Sequence, residues 1–120
     1  MSQSQTAIEV CSNSPLTTLS EDEQMFRSSV REFAEGEVRP RVEEMEEHAK
    51  LDPALIKQCF DLGLMGIETP GEFGGAGASF FTAILAVEEL SRIDASVGVL
   101  VDVQNTLVNN ALIRWGNEEQ

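Results

Sequence analysis

Three groupings in this sequence carry the residue types of a reacting centre. Glu88 and Glu89 are adjacent carboxylates, His48 follows Glu44 by one helical turn, and six glycines fall among the seventeen positions from Gly63 to Ser79. Paired carboxylates do acid–base work only when both reach one substrate atom. Neighbours on a helix point about 100° apart, so Glu88 and Glu89 are expected to be one or two surface carboxylates. His48 is the only histidine. One imidazole beside one carboxylate falls short of the three or four ligands of a zinc site, and His48 is expected to face solvent. A nucleophile–histidine pairing is excluded on the same ground. The glycines invite a phosphate cradle, but the spacing rejects it. With Gly75 and Gly77 as the first two glycines of G-x-G-x-x-G, Phe80 stands in place of the third, and no lysine follows a glycine as a P-loop requires. The stretch is instead expected to be a turn-rich connector, whose glycines allow positive φ and close packing.

The elements that hold these groups read as helices. Ser20-x-x-Glu23 is a capping box, followed at helical spacing by Phe26, Val30, Phe33, Ala34 and Val38. Pro40 predicts an end or a bend there, because the residue before proline avoids the α region. A short surface helix follows, to about Ala49, with Val42 and Met45 inward. Asp52-Pro53 starts a third helix, with Leu55, Ile56, Cys59, Phe60 and Leu62 as its expected buried side and Gly63 as a left-handed cap. Ser79 caps a fourth, apolar most of the way round and so expected to be central. Asp94-Ala95-Ser96 opens the last, running to about Trp115. Asp102, Gln104, Asn105, Asn109 and Asn110 interrupt it too often for a membrane span. Gly116 ends it, and Asn117-x-x-Gln120 looks like the cap of a further helix, as expected of a fragment. The fold class is therefore all-α, a bundle-like domain of about five helices with a glycine-rich connector. Residues 1–18, rich in Ser, Gln and Thr, are expected to be a disordered or loosely held tail, and residues 19–120 the domain.

The chain has 120 residues, enough for one modest core. Its 21 acidic against 8 basic side chains give a net charge of -13, which opposes binding to nucleic acid or anionic membranes. Cys11 lies in the polar tail and Cys59 in an apolar helix, so no disulfide framework is expected and a reducing compartment fits. The first eighteen residues contain no Lys or Arg and no apolar run. That matches neither a signal peptide nor a transit peptide, so the expected location is cytoplasmic, or the mitochondrial matrix if a presequence was removed.

Three stretches are more specific: GLMGIETPGEFGGAGASF, AVEELSRIDASVGVLVDVQNTL and IRWGNEEQ. In this order and at these separations they resemble the N-terminal helical domain of acyl-CoA dehydrogenases, above all the short/branched-chain group, from about Leu19 to Gln120. One departure stands out. The family's connector usually reads Pro-Glu-Glu-Tyr-Gly-Gly, whereas here Pro70 is followed by Gly71, Glu72 and Phe73. The resemblance implies an FAD-dependent enzyme that removes hydrogens from Cα and Cβ of an acyl thioester, a glutamate taking the proton and the flavin accepting hydride. It implies that FAD and the base belong mainly to a middle β domain and a C-terminal helical domain; no glutamate here matches the catalytic one. It further implies a homo-oligomer, a tetramer, with electron-transfer flavoprotein as acceptor. This domain then supplies one wall of the acyl pocket, and the family's acyl-tail positions carry over onto Val99, Val103, Gln104 and Leu107. A stand-alone acidic helical interaction module, without catalysis, is the alternative.

Overall fold

The computed structural model describes residues 15–120. The expected loose tail lies almost wholly outside them, as does Cys11. Among the described residues every regular element is helical. The first rod begins with α1 (Glu21–Phe33), capped by Ser20, whose Oγ accepts from the Glu23 amide while Glu23 Oε1 accepts from the Ser20 amide. Three acidic residues in its first turn and Arg31 in its last suit the helix dipole.

Pro40 does not end this rod; of the end or bend expected there, the end is not seen. Arg39, immediately before it, is right-handed α (φ -51°, ψ -46°). The chain passes the proline by changing its winding. A π turn at Ala34–Val38 gives way to a 3-10 turn at Arg39–Arg41, and α2 (Val42–His48) follows without a break. The Arg39 amide reaches back to the Ala34 carbonyl, and the Arg41 guanidinium donates to the Glu37 carbonyl at 3.0 Å. Carbonyls that the proline and the altered register would strand are thus partly served by a side chain. The two helices expected on either side of Pro40 are one rod, so the described residues hold four rods rather than about five separate helices. Ala49, at φ 50°, closes the rod as a left-handed cap.

The second rod, α3 (Pro53–Asp61), starts as expected on the Asp52 cap and Pro53. Leu55 and Cys59 are buried and Ile56 partly so, but Phe60 and Leu62 are exposed, against expectation. Phe60 lies about 100° from Cys59 on the helix wheel, off the buried stripe. Leu62 is already past the last helical residue, where the chain turns away. Gly63 makes that turn at φ 78°. Its amide bonds the Phe60 carbonyl and the Leu64 amide bonds the Cys59 carbonyl, a Schellman closure that sends Leu64 and Met65 into the core. Arg41 ties this rod to the first through Asp52 (Nε–Oδ2, 3.1 Å) and Gln58 Oε1 (3.0 Å).

The connector then runs to Ser79 with only a short 3-10 turn, Gly71–Phe73. It folds back on itself through the Ala76, Gly77 and Ala78 amides, which donate to the Gly66, Thr69 and Ile67 carbonyls. Gly75 sits so close to Thr69 that a Cβ there would strike the Thr69 carbonyl and side chain. Ser79 caps α4 (Phe80–Ser91), and Asp94 caps the last rod: α5 (Ala95–Val103), a second π segment (Gln104–Asn109) and α6 (Asn110–Trp115). α4 packs on α5 and on α1, the central place expected of it. Gly98 allows the close approach of α5 to α4, since a Cβ there would meet Ser91. Val30, Val38, Leu55, Ile67, Leu90 and Val101 lie at the heart of the core.

Candidate functional site

The last rod carries two apolar stripes. Val97, Val101 and Asn105, four residues apart, form the inner one, with both valines fully buried and Asn105 at 2% exposure. Val99 and Val103 are two positions further on in each case, about 200° round the helix, on nearly the opposite side. They are 58% and 37% exposed, and Leu107 is 63% exposed. Three of the four residues expected to meet the acyl chain thus share one open apolar side, and they are not core within this chain. The even spacing assumed for them holds only as far as Val103, because the winding changes to π at Gln104. Gln104 is half-buried at the margin, its Nε2 donating to Asn109 Oδ1 at 2.8 Å. The open side continues along the rod through Val108, Leu112 and Ile113, and α4 exposes Phe80 and Ile84.

What fixes this surface is a pair of asparagines that sequence reasoning treated only as interruptions of a membrane span. Asn105 Oδ1 accepts from the Ile67 amide at 2.8 Å, and its Nδ2 donates to the Leu64 and Val101 carbonyls, both at 2.8 Å. Asn109 Nδ2 donates to the Met65 carbonyl at 2.7 Å and to Thr69 Oγ1 at 3.2 Å. These bonds clasp the connector onto the last rod. They also explain the π segment, where widening the turn displaces the ordinary backbone ladder. The Val101 carbonyl is taken by the Asn105 side chain and the Asp102 carbonyl by Thr106 Oγ1 at 2.8 Å. One signal was available in the sequence. Asn105 falls in register with Val97 and Val101, and a carboxamide in a core stripe must be hydrogen-bonded where it lies.

Most amides of the connector are already engaged, which speaks against a phosphate cradle. The amides of Gly66, Ile67 and every residue from Phe73 to Ala78 donate within the chain. A cradle needs such donors turned outward. Glu68 Oε2, by contrast, is buried with no hydrogen-bond partner among the described residues.

The adjacent carboxylates separate, one of them at the surface and one inside. Glu88 is exposed, but Glu89 is buried, its carboxylate gripped by Arg31 (Nε–Oε2 and Nη2–Oε1, both 2.9 Å) and by Arg92 Nη1 at 3.1 Å. The bonds from Arg31, opposed by burial and aided by Arg92, hold its carboxyl below the usual carboxylate range. All its hydrogen-bond partners here are arginines, so it is a clamp between α1 and α4 and lacks the raised pKa of a general acid. His48 is exposed, with Nδ1 2.9 Å from the Glu44 carbonyl rather than the carboxylate. Burial pushes the Cys59 thiol up to about 11, so it behaves as a core residue. A cavity of about 380 Å³, lined by residues including Met45, Leu51 and Asp94, opens beside the end of α2; none of Val99, Val103, Gln104 or Leu107 lines it.

These features define an all-α domain with a clasped connector and one uncovered apolar side. Residues 20–120 match the family model "Acyl-CoA dehydrogenase, N-terminal domain". The chain belongs to that family. It is 43% identical over 123 aligned positions, 99% of this chain and 28% of the relative, to the short/branched chain specific acyl-CoA dehydrogenase, mitochondrial, of Bos taurus. A probable short/branched chain specific acyl-CoA dehydrogenase of Dictyostelium discoideum is 46% identical over 106 positions, 88% of this chain and 26% of the relative. Among solved structures, a chain from "Electron transferring flavoprotein of Acidaminococcus fermentans: Towards a mechanism of flavin-based electron bifurcation" superposes with a TM-score of 0.80 at 37% identity, covering 85% of this chain and 27% of that one. The chain thus spans about a quarter of the length of the relatives it matches.

Proposed function

We propose that this chain is the N-terminal helical part of a flavin-dependent acyl-CoA dehydrogenase acting on short or branched acyl thioesters, and that Val99, Val103, Gln104 and Leu107 form one wall of its acyl pocket. The observation that carries the reading is the uncovered side of the last rod. Apolar side chains left open on a well-packed helix are an interaction surface. A hydrocarbon tail suits Val99, Val103 and Leu107, with Gln104 as the polar margin. The two curated relatives named above favour the short/branched class.

The flavin, FAD in this proposal, supplies the hydride-accepting centre when bound. Most amides of the connector are engaged within the chain, and Glu89 is engaged by arginines rather than free as a base. The role of this chain is accordingly to shape the tail end of the pocket and exclude water there. FAD and the catalytic base are assigned to parts of the enzyme outside this chain, with a tetramer as the assembly. Electron-transfer flavoprotein is the proposed acceptor, in keeping with the description of the solved neighbour. The bovine relative, described as mitochondrial, favours the matrix as location. No described helix is long and apolar enough to cross a membrane.

The test is the acyl-chain profile of the full-length enzyme. Val103→Ala should move the optimum toward longer acyl chains and Val103→Phe toward shorter ones, with about 10- to 200-fold discrimination per methylene and flavin content unchanged. Lowered thermal stability with an unchanged profile contradicts the pocket reading.

A further inference from the structure

Asn109 is engaged at both ends of its side chain. Its Nδ2 holds the connector through the Met65 carbonyl and Thr69 Oγ1, while its Oδ1 accepts from Gln104 Nε2 at 2.8 Å. Gln104 is therefore tied, through one amide, to backbone 39 residues earlier in the chain. It also lies at the margin of the open stripe next to Val103. A glutamine without such a tether samples many rotamers and moves aside for a ligand. A tethered one presents a fixed shape, and its polar atoms resist an apolar chain that would strip their water. Asn105, immediately beside Gln104 and bonded to the same connector, fixes the backbone from which Gln104 projects.

Resting on the acyl-pocket reading, we propose that Asn109 is a positioning residue that sets acyl-chain selectivity through Gln104, without touching the chain itself. The connector thereby takes part in selectivity, since it is what Asn109 is anchored to.

The experiment compares kcat/KM for straight-chain acyl-CoAs of increasing length and one methyl-branched acyl-CoA, in the full-length, flavin-loaded enzyme. Asn109→Ser is too short to reach Gln104. It should change the ratio between the best substrate and the next longer one by about 10-fold. Asn109→Asp keeps an oxygen acceptor for Gln104 Nε2 but loses the donor to the Met65 carbonyl and Thr69 Oγ1, so it should shift the ratio in the same direction as Asn109→Ser. In a Gln104→Met background Asn109→Ser should have no further effect on the ratio, because a residue acting through another loses its influence when that other is gone. The rise in Tm on adding each acyl-CoA gives the same ordering without turnover. If Asn109→Ser lowers Tm and leaves the ratio unchanged, or shifts it equally in both backgrounds, the inference is overturned and Asn109 is only a structural clasp. Asn109→Thr replaces the serine variant, with the same two outcomes, if the latter does not accumulate. The Val103 variants separate the two levels. When they shift the profile and Asn109→Ser does not, only the positioning role fails; when neither shifts it, the acyl-pocket reading fails and takes this inference with it.

Discussion

The two sides of the last rod have nearly the same composition and opposite fates. Val97 and Val101 look like Val99 and Val103, yet the first pair is sealed under α4 and the connector while the second stands open. The difference comes from what lies across from each. Ala83, Ala86 and Leu90 and the connector residues Leu64 and Ile67 share the core with the inner stripe, and Asn105 holds Leu64 and Ile67 there with two hydrogen bonds. On the outer side no described residue performs that sealing. Apolar character alone therefore does not separate core from binding surface; the hydrogen bonds that pin the covering segment do.

Breaking the clasp should have the largest effect. Asn105→Leu keeps the branched shape but strands the Ile67 amide and the Leu64 and Val101 carbonyls in the interior, at about 1–3 kcal/mol for each group left unpaired. Denaturant unfolding should show a loss on the order of 3–5 kcal/mol, and limited proteolysis should cut first within residues 63–79. A loss below about 1 kcal/mol would mean that the clasp is not what seals the inner side.

The contrast between stripes sharpens with two matched truncations. Val101→Ala removes buried methyls and should cost about 2 kcal/mol, whereas Val103→Ala, on the open side, should stay within about 0.5 kcal/mol. Their effects on acyl-chain preference should be reversed, Val103→Ala changing it and Val101→Ala leaving it alone. Equal stability losses measured by urea titration would erase the distinction.

A smaller effect belongs to the clamp between α1 and α4. Glu89 is sealed, but Arg31 and Arg92 are about half exposed, so solvent tempers the pairing. Glu89→Gln should cost about 1–2 kcal/mol at pH 7. Because the folded carboxyl titrates below its unfolded value, its stabilisation is complete above the ordinary carboxylate pKa of about 4.3 and disappears as pH falls through the lower folded value. The Tm gap between wild type and Glu89→Gln should therefore be widest near neutrality and close in acid. A gap independent of pH between 7 and 3 would contradict the assignment.

Much of the fold was legible because its signals are local. Ser20, Asp52, Ser79 and Asp94 each cap the helix their sequence context announces, and Gly63 adopts the left-handed turn expected of it. Asn117 and Gln120 form their reciprocal cap as well. What spacing did not show has a different cause. Pro40 was passed by a π turn with one carbonyl served by the Arg41 side chain, and Glu89 is buried where arginines 58 and three residues away in sequence converge on it. Phe60 and Leu62 were apolar and helical in spacing but had nothing to pack on. In each case the outcome depended on a partner distant in sequence or on a shift in winding, which spacing in one segment does not encode. The open stripe was placed by family resemblance; the amides that hold its geometry became visible only once the connector was seen lying against them.

The central claim, that the outer stripe meets the acyl tail, is tested most directly by a crystal structure of the full-length enzyme with a bound acyl-CoA analogue. Tail carbons should lie within about 4–4.5 Å of the Val103 and Leu107 side chains, with Gln104 still bonded to Asn109 at the margin. Protein side chains covering Val99, Val103 and Leu107, with the tail bound elsewhere, would contradict it.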